Sequence, residues 1–375
     1  MHPPRLLLLL PAVAALPLTG CGSAPADPDS GAPPASWSST GAHGAGTVAL
    51  SLPVEGRPEP IPARAWYPVP DVDGGALDLP DLIEDVANRE VLTGLLAAAP
   101  DGCPTRAHGA TVAGPPAPLE AAPLLVYSHC HTCLGVSGAE VARTLATHGF
   151  VVVAPDHAGN TLFDLLEGDG GALDEETLAQ RARDARAALD AVLDGSVLPA
   201  GIAVDPGAIG AVGHSFGAVT AGRLLRDDPR IQAVLAMGAP IDNPLLMGVD
   251  AATVEQPVLH LLLEEDNSIG TVGNDLMVAS HGELAGPGWL VSMPDAGHWS
   301  VSDLCGLIDD FQPGCGAGER QGSGQPFTYV DAAAARATAG QIAAAFFAHT
   351  LQGDAAAGAW LAAPDAPVAI TVEAR

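Results

Sequence analysis

The chain has 375 residues, 48% of them apolar and only 4% aromatic, so it can bury a large core built mostly from Val, Leu, Ile and Ala. Its formal charge is -29, with 44 acids against 15 bases, and every base is an arginine. That balance repels phosphate backbones, which excludes nucleic-acid binding and favours neutral or weakly charged small molecules as partners.

The start, "MHPPRLLLLLPAVAALPLTGC", carries Arg5, an apolar run from Leu6 to Leu18, and then Thr19-Gly20-Cys21. Residues 1–20 are expected to be a secretory signal; Pro11 and Pro17 break the apolar run, which is too short for a membrane span. The ending "LTGC" resembles the bacterial lipobox. That resemblance implies lipidation of Cys21 and an exported lipoprotein of the cell envelope, held to the membrane by its N-terminal lipid. Residues 21–46 are rich in Ser, Pro, Gly and Asp and are expected to form a flexible tether.

A domain is expected over residues 47–351. It opens with two strands, "TVALSLPV" and "ARAWYPVP", the second closed by Pro68 and Pro70. In Asp81 to Ala99, the apolar residues Leu82, Val86, Leu92, Leu95 and Leu96 recur at helical spacing, so residues 81–122 read as an inserted helix and loop. Short aliphatic runs follow: "PLLVYS", "FVVVAP", "AIGAVG", "IQAVLAM", "PVLHLLL" and "GWLVSMP". Such runs suit parallel strands covered on both faces. Between them lie helical patterns at Ser137–His148, Asp174–Leu193 and Phe216–Leu225, and another closes the domain at Asp331–Thr350. Strand and helix in alternation argue for an α/β fold with a mostly parallel central sheet flanked by helices. The tail, residues 352–375, holds "VAITV", a candidate extra edge strand.

The stretch "GAVGHSFGAVT" runs from an aliphatic strand into a helix. There Gly-x-Ser-x-Gly forms a nucleophile elbow, with Gly213 and Gly217 sparing side chains where strand and helix crowd together. Ser215 is thus the candidate nucleophile. A serine hydroxyl needs a base held by a third group, in the chain order Ser, acid, His. Asp266 stands just past "PVLHLLL" and His298 just past "GWLVSMP"; Glu265, Asp242 and Asp303 compete for the place of the acid. Oxyanion donors are expected from the backbone N–H of Phe216 and from the loop "HCHTC" after "PLLVYS", through His131 or Cys130.

Together "RPEPIPARAWYP", "PLLVYSH", "VVVAPDHAGNT", "GHSFG" and "GHWSVSD" resemble the serine esterases of the α/β-hydrolase superfamily, in particular its platelet-activating-factor acetylhydrolase-like and dienelactone-hydrolase-like members. The resemblance spans Arg57 to Thr350. It implies a Ser/His/Asp hydrolase of carboxylic esters, with Ser215 as nucleophile, His298 as base, Phe216 and His131 as oxyanion donors, and no metal or cofactor. The acid falls at Asp266 if the chain follows the dienelactone-hydrolase-like pattern, and near Asp242 if it follows the other. Cys130 stands where those relatives carry a glycine. The short interval from Ile241 to Gln256 leaves no room for a large lid after the sixth strand. Because fold does not fix function, a ligand-binding lipoprotein without turnover is the rival reading.

Five cysteines follow Cys21. An oxidising compartment favours pairing, and the expected pairs are Cys305 with Cys315, closing a short loop after His298, and Cys103 with Cys130 or Cys133. The "HCHTC" cluster has no partner cluster to complete the four ligands of a zinc site, so no metal is expected there.

Overall fold

The computed structural model describes residues 37–38, 40–70, 76–195, 197–244, 246 and 248–375. The expected signal and Cys21 lie outside the described residues. Strands β1 (Gly44–Leu52) and β2 (Ile61–Val69) form an antiparallel hairpin. The inserted segment carries a two-residue strand β3 (Leu77–Asp78), helix α1 (Val86–Ala98), β4 (Ala107–His108), which pairs with β3, and β5 (Thr111–Val112), which joins the free edge of β1.

Strand β6 (Ala122–Ser128), helix α2 (Ala139–Thr147) and strand β7 (Val151–Pro155) then begin the alternating part. Helices α3 (Leu162–Glu167) and α4 (Glu175–Leu193) lead to β8 (Val204–His214), α5 (Phe216–Asp227) and β9 (Ile231–Met237). Next come β10 (Val258–Leu263), α6 (Gly270–Glu283) and β11 (Gly288–Met293). A small ladder, β12 (Ala317–Glu319) with β13 (Pro326–Thr328), precedes α7 (Ala332–Gln352), α8 (Ala355–Ala362) and β14 (Thr371–Ala374).

Among the described residues, ten strands form one sheet in the order β14-β11-β10-β9-β8-β6-β7-β2-β1-β5. From β11 to β7 all neighbours run parallel; β2 and β14 attach antiparallel on the two sides. Alternate residues of each aliphatic run serve opposite faces, the period-two rule for a strand. Leu125, Val152, Val212, Leu235 and Val291 pack toward Phe346 and Phe347 of α7, whereas Leu124, Val153, Ile209, Val234 and Val258 pack toward Leu189 of α4 and Leu224 of α5. The two covered faces explain why these strands are apolar throughout rather than alternating. Asp174 starts α4 by accepting from the Thr177 N–H, and Asp331 starts α7 through that of Ala334.

The folded region exceeds the expected 47–351 at both ends. Trp37 is buried and stacks on His148 with ring centroids 4.9 Å apart, and the Gly41 N–H donates to Thr147 Oγ1 over 3.0 Å. At the other end, Trp360 Nε1 donates to Ser38 Oγ over 3.2 Å, and the edge strand begins at Thr371, after "VAI". A single buried indole anchors a segment whose composition otherwise reads as tether. Between β9 and β10 the described residues hold one short 3-10 turn, Ala251–Thr253.

Candidate active site

Ser215 sits at the turn from β8, near the middle of the sheet, into α5, where strand ends leave a crevice. Its backbone has φ 56° and ψ -120°, a conformation that costs a non-glycine residue about 1–3 kcal/mol and persists only when its surroundings dictate it. They do so here. The Ser215 N–H donates to Met237 O at the end of β9 over 2.8 Å. A Cβ on Gly213 would lie 2.0 Å from Gly217 O, and one on Gly217 would lie 1.9 Å from Ser128 O. The two glycines therefore let α5 press against both β8 and the start of the loop after β6.

Asp266 follows β10, fully buried, and its Oδ1 accepts from the N–H groups of Ser268 and Ile269 at 3.0 and 3.1 Å. Its Oδ2 lies 2.6 Å from His298 Nδ1, in the loop after β11. That contact fixes the imidazole orientation and leaves Nε2 facing away from the carboxylate. The His298 loop is pinned in turn: the Glu265 N–H donates to Ala296 O, the Gly297 N–H to Ser300 Oγ, and Ser300 Oγ–H to Gly314 O. His214, immediately before Ser215, donates from Nε2 to the His298 carbonyl over 2.9 Å. Burial first, and the neighbouring His298 second, hold His214 down at about 3, so it stays neutral.

Among the described residues, no hydrogen bond joins the other candidates for the acid to His298, and two of them are engaged elsewhere. Glu265 accepts from Arg320 and from the Gln321 N–H; Asp303 accepts from Thr105 Oγ1 and the Glu140 N–H. Asp242 has a buried Oδ1 without a hydrogen-bond partner.

Cys130 and Cys133 form a disulfide across the loop after β6, with Cα atoms 5.2 Å apart. The backbone N–H groups of His131 and Phe216 donate no hydrogen bond among the described residues. Their side chains meet edge to face with centroids 6.1 Å apart. Behind the loop lies a buried polar network. His157 Nδ1 donates to Asp184 Oδ2 over 3.1 Å, and His157 Nε2 accepts from Ser128 Oγ over 2.9 Å. Arg57 makes a two-pronged bond to Asp184, and Arg181 donates to His129 O, Ser128 Oγ, Asn160 Oδ1 and Thr220 Oγ1. Arg181 also lies over the Phe216 ring, 4.8 Å from its centroid. Burial brings Arg181 down to about 9, still charged at neutral pH.

Sequence reasoning missed this network because Arg181 and Asp184 sit on helix α4 in a run that reads as a solvated face, and Arg57 comes from the distant loop between β1 and β2. The signal available was Arg181 within "LAQRARDARAAL", three residues from Asp184 and at core spacing with Leu178 and Ala185.

The expected pairing of cysteines is corrected. Cys315 bonds to Cys103, not to Cys305, and Cys130 bonds to Cys133, not to Cys103. Gly306, with φ +68°, turns the chain under the Cys103–Cys315 bridge; a Cβ there would lie 3.0 Å from Cys103 Cβ and 3.1 Å from Cys315 Sγ. Cys305, fully buried in the core, is a free thiol that burial pushes up to about 12. Chain separation favoured a short loop, whereas the packing of the inserted segment against the His298 region decided the partner.

A cavity of about 730 Å³ opens between the hairpin β1–β2, the inserted segment and α3, lined by Arg64, Ile83, Gly135, Asp156 and Phe163 among others. Neither Ser215 nor His298 lines it. Among the described residues, no group of three or more His, Cys, Asp or Glu side chains is arranged to hold a metal ion, and no helix is long and apolar enough to cross a membrane.

Neither a protein-family model nor a curated protein matches the chain. Among solved structures, a ferulic acid esterase from Streptomyces cinnamoneus matches with a TM-score of 0.60 and 24% identity, over 83% of this chain and 90% of that one. At that identity the likeness establishes the α/β fold, a mostly parallel sheet between two layers of helices.

Proposed function

We propose that the chain is a serine-dependent hydrolase of carboxylic esters. The observation that carries this reading is the joint placement of a strained Ser215 on its elbow and the 2.6 Å Asp266–His298 contact, with His214 bonded to the His298 carbonyl between them. In this mechanism His298 Nε2 takes the Ser215 proton as Oγ attacks the ester carbonyl. The N–H groups of Phe216 and His131 stabilise the oxyanion, and the imidazolium then protonates the leaving alcohol. Water repeats the cycle on the acyl-enzyme. Asp266 holds the tautomer in which Nδ1 carries the proton.

The position of the acid supports the dienelactone-hydrolase-like arrangement over the acetylhydrolase-like one. The strongly acidic surface favours neutral esters, and the likeness to a ferulic acid esterase adds hydroxycinnamate esters to those worth testing. We further propose export through residues 1–20 and anchorage through Cys21, which places the enzyme at the cell envelope.

The test is hydrolysis of nitrophenyl acetate, butyrate and octanoate and of methyl ferulate by the chain from residue 22 onward, beside Ser215→Ala. Turnover by the wild type and silence of Ser215→Ala are expected, with the substrate profile defining the acyl preference. A folded wild type that turns over none of the four and ignores a fluorophosphonate probe overturns the reading in favour of a binding protein.

A further inference from the structure

The loop after β6 does without glycine where its geometry asks for one. The Cys133 N–H donates to Cys130 O over 3.3 Å, closing a four-residue turn with His131 and Thr132 at its centre. Thr132 has φ +55°, whereas the φ of His131 is not positive. That is the pattern of a type II turn, whose third position favours Gly or Asn. A β-branched residue is among the least suited to it. The rest of the loop is held at its two ends. On the leading side, Arg181 donates to His129 O and His129 Nδ1 donates to Cys130 O. On the trailing side, the Leu162 N–H donates to Cys133 O, and the Gly135 N–H to Asp156 Oδ1. Among the described residues, the central pair is held more lightly, by the local bond from Thr132 Oγ1 to His131 O, the bond between His131 Nε2 and Gly171 O, the approach of Cys133 Sγ to His131 O at 3.6 Å, and the ring contact of His131 with Phe216. The disulfide from Cys130 to Cys133, both fully buried, spans them.

We propose that the Cys130–Cys133 disulfide is a positioning element for ester hydrolysis, holding Thr132 left-handed so that the peptide N–H of His131 stays aimed at the oxyanion. This inference rests on the function proposed above. Without the bridge, Thr132 relaxes to negative φ, the turn changes shape, and the Cys130–His131 peptide, which carries the His131 N–H, is free to tilt away from its aim. A glycine at position 132 would remove that pressure, since it adopts positive φ without a Cβ penalty. The bridge and a glycine are thus two solutions to one conformational problem.

The experiment compares wild type, Cys130→Ser/Cys133→Ser, Thr132→Gly, and the triple variant. Variants serve better than reductants here, because both sulfurs are buried and Cys103–Cys315 would be reduced as well. The double variant is expected to lose about 100-fold in kcat, the scale of one lost oxyanion donor, with KM little changed. Its affinity for an alkyl trifluoromethyl ketone, which forms a tetrahedral adduct with the serine, should fall in parallel. Thr132→Gly alone should be near wild type, and the triple variant should recover most of the kcat. If the double variant does not fold, a folded and active triple variant supports the proposal.

A double variant with wild-type kcat overturns it. So does a triple variant no better than the double in kcat or folding, because the bridge then acts as a plain staple. These outcomes leave the ester-hydrolase reading standing, which fails only if the wild type itself neither turns over esters nor reacts with a fluorophosphonate.

Discussion

His214 Nε2 and the main-chain carbonyl of His298 are joined across 2.9 Å, and the two rings lie 4.9 Å apart. The residue before the candidate nucleophile thereby holds the backbone of the candidate base. Gly238 borders the pair in a left-handed conformation, φ +62°, that favours glycine, while a Cβ there would only touch them, 3.4 Å from His298 Nδ1 and 3.5 Å from His214 Cδ2.

His214→Phe keeps a ring of similar bulk and deletes the donor. Loss of one buried hydrogen bond that acts on base placement should lower kcat about 10-fold, with KM nearly unchanged. His214→Gln, which can still donate, should fall between the two. Because burial holds His214 at about 3, it carries no charge from pH 5 to 9, and the acidic limb of the kcat profile should be the same in wild type and His214→Phe. A shifted limb, or an unchanged kcat in His214→Phe, would show that His214 has another role or none.

Asp266 accepts from two backbone N–H groups and from His298 Nδ1, while Glu265 is bonded to Arg320 and to the Gln321 N–H. Asp266→Asn should preserve the fold and favour the wrong imidazole tautomer, a change that costs about 10⁴ in kcat in serine hydrolases. Asp242→Asn and Glu265→Gln should leave kcat within a few-fold of wild type, as neither carboxylate reaches His298. Steady-state kinetics of the three variants decide the assignment; a collapse in Asp242→Asn with Asp266→Asn active would reverse it.

The strands were legible because both faces of the sheet are covered, which turns each strand into an unbroken aliphatic run such as "FVVVAP" or "IQAVLAM". The elbow was legible because its demands are local: a strand, two glycines at fixed offsets and a helix. Asp266 and His298 could be placed only at strand ends, since a turn acid and an acid that meets a histidine look alike until the fold joins the two. The disulfides and the Arg57–Asp184–His157 network were hidden for a different reason. Cys103 and Cys315 are 212 residues apart, and Arg57 and Asp184 are 127 apart, so nothing local in the sequence couples them. Trp37 was overlooked because one buried indole changes neither the composition nor the periodicity of the segment around it.

The Cys103–Cys315 bridge ties the inserted segment to the loop beside Gly314, whose carbonyl accepts from Ser300 Oγ two residues after His298. Closing a loop this long restricts the unfolded chain strongly, by about 5 kcal/mol in the loop-entropy account. Cys103→Ser/Cys315→Ser should therefore lower Tm markedly, with kcat less affected than stability. In the chain from residue 22 onward, alkylation followed by peptide mapping should find one reactive thiol after denaturation without reductant, at Cys305. Recovery of a Cys305–Cys315 peptide instead would contradict the connectivity.

Asp303 joins three parts of the fold, accepting from Thr105 Oγ1 of the inserted segment and from the Glu140 N–H at the start of α2, with Arg336 of α7 at 3.9 Å. Burial, the largest influence, raises its carboxyl to about 6; Arg336 and the two hydrogen bonds pull the other way without cancelling it. A folded value above the unfolded one of about 3.9 means that the native state binds this proton more tightly, so the contribution is greatest below about pH 4 and is lost as pH rises through about 6. Asp303→Asn removes the titration while keeping an acceptor and gaining a donor toward the Thr105 hydroxyl. The stability advantage of wild type over this variant should therefore shrink by roughly 2 kcal/mol between pH 4.5 and pH 8, read from urea unfolding at each pH. A gap that stays level or widens with pH would mean that Arg336 keeps Asp303 ionised in the folded protein across that whole range.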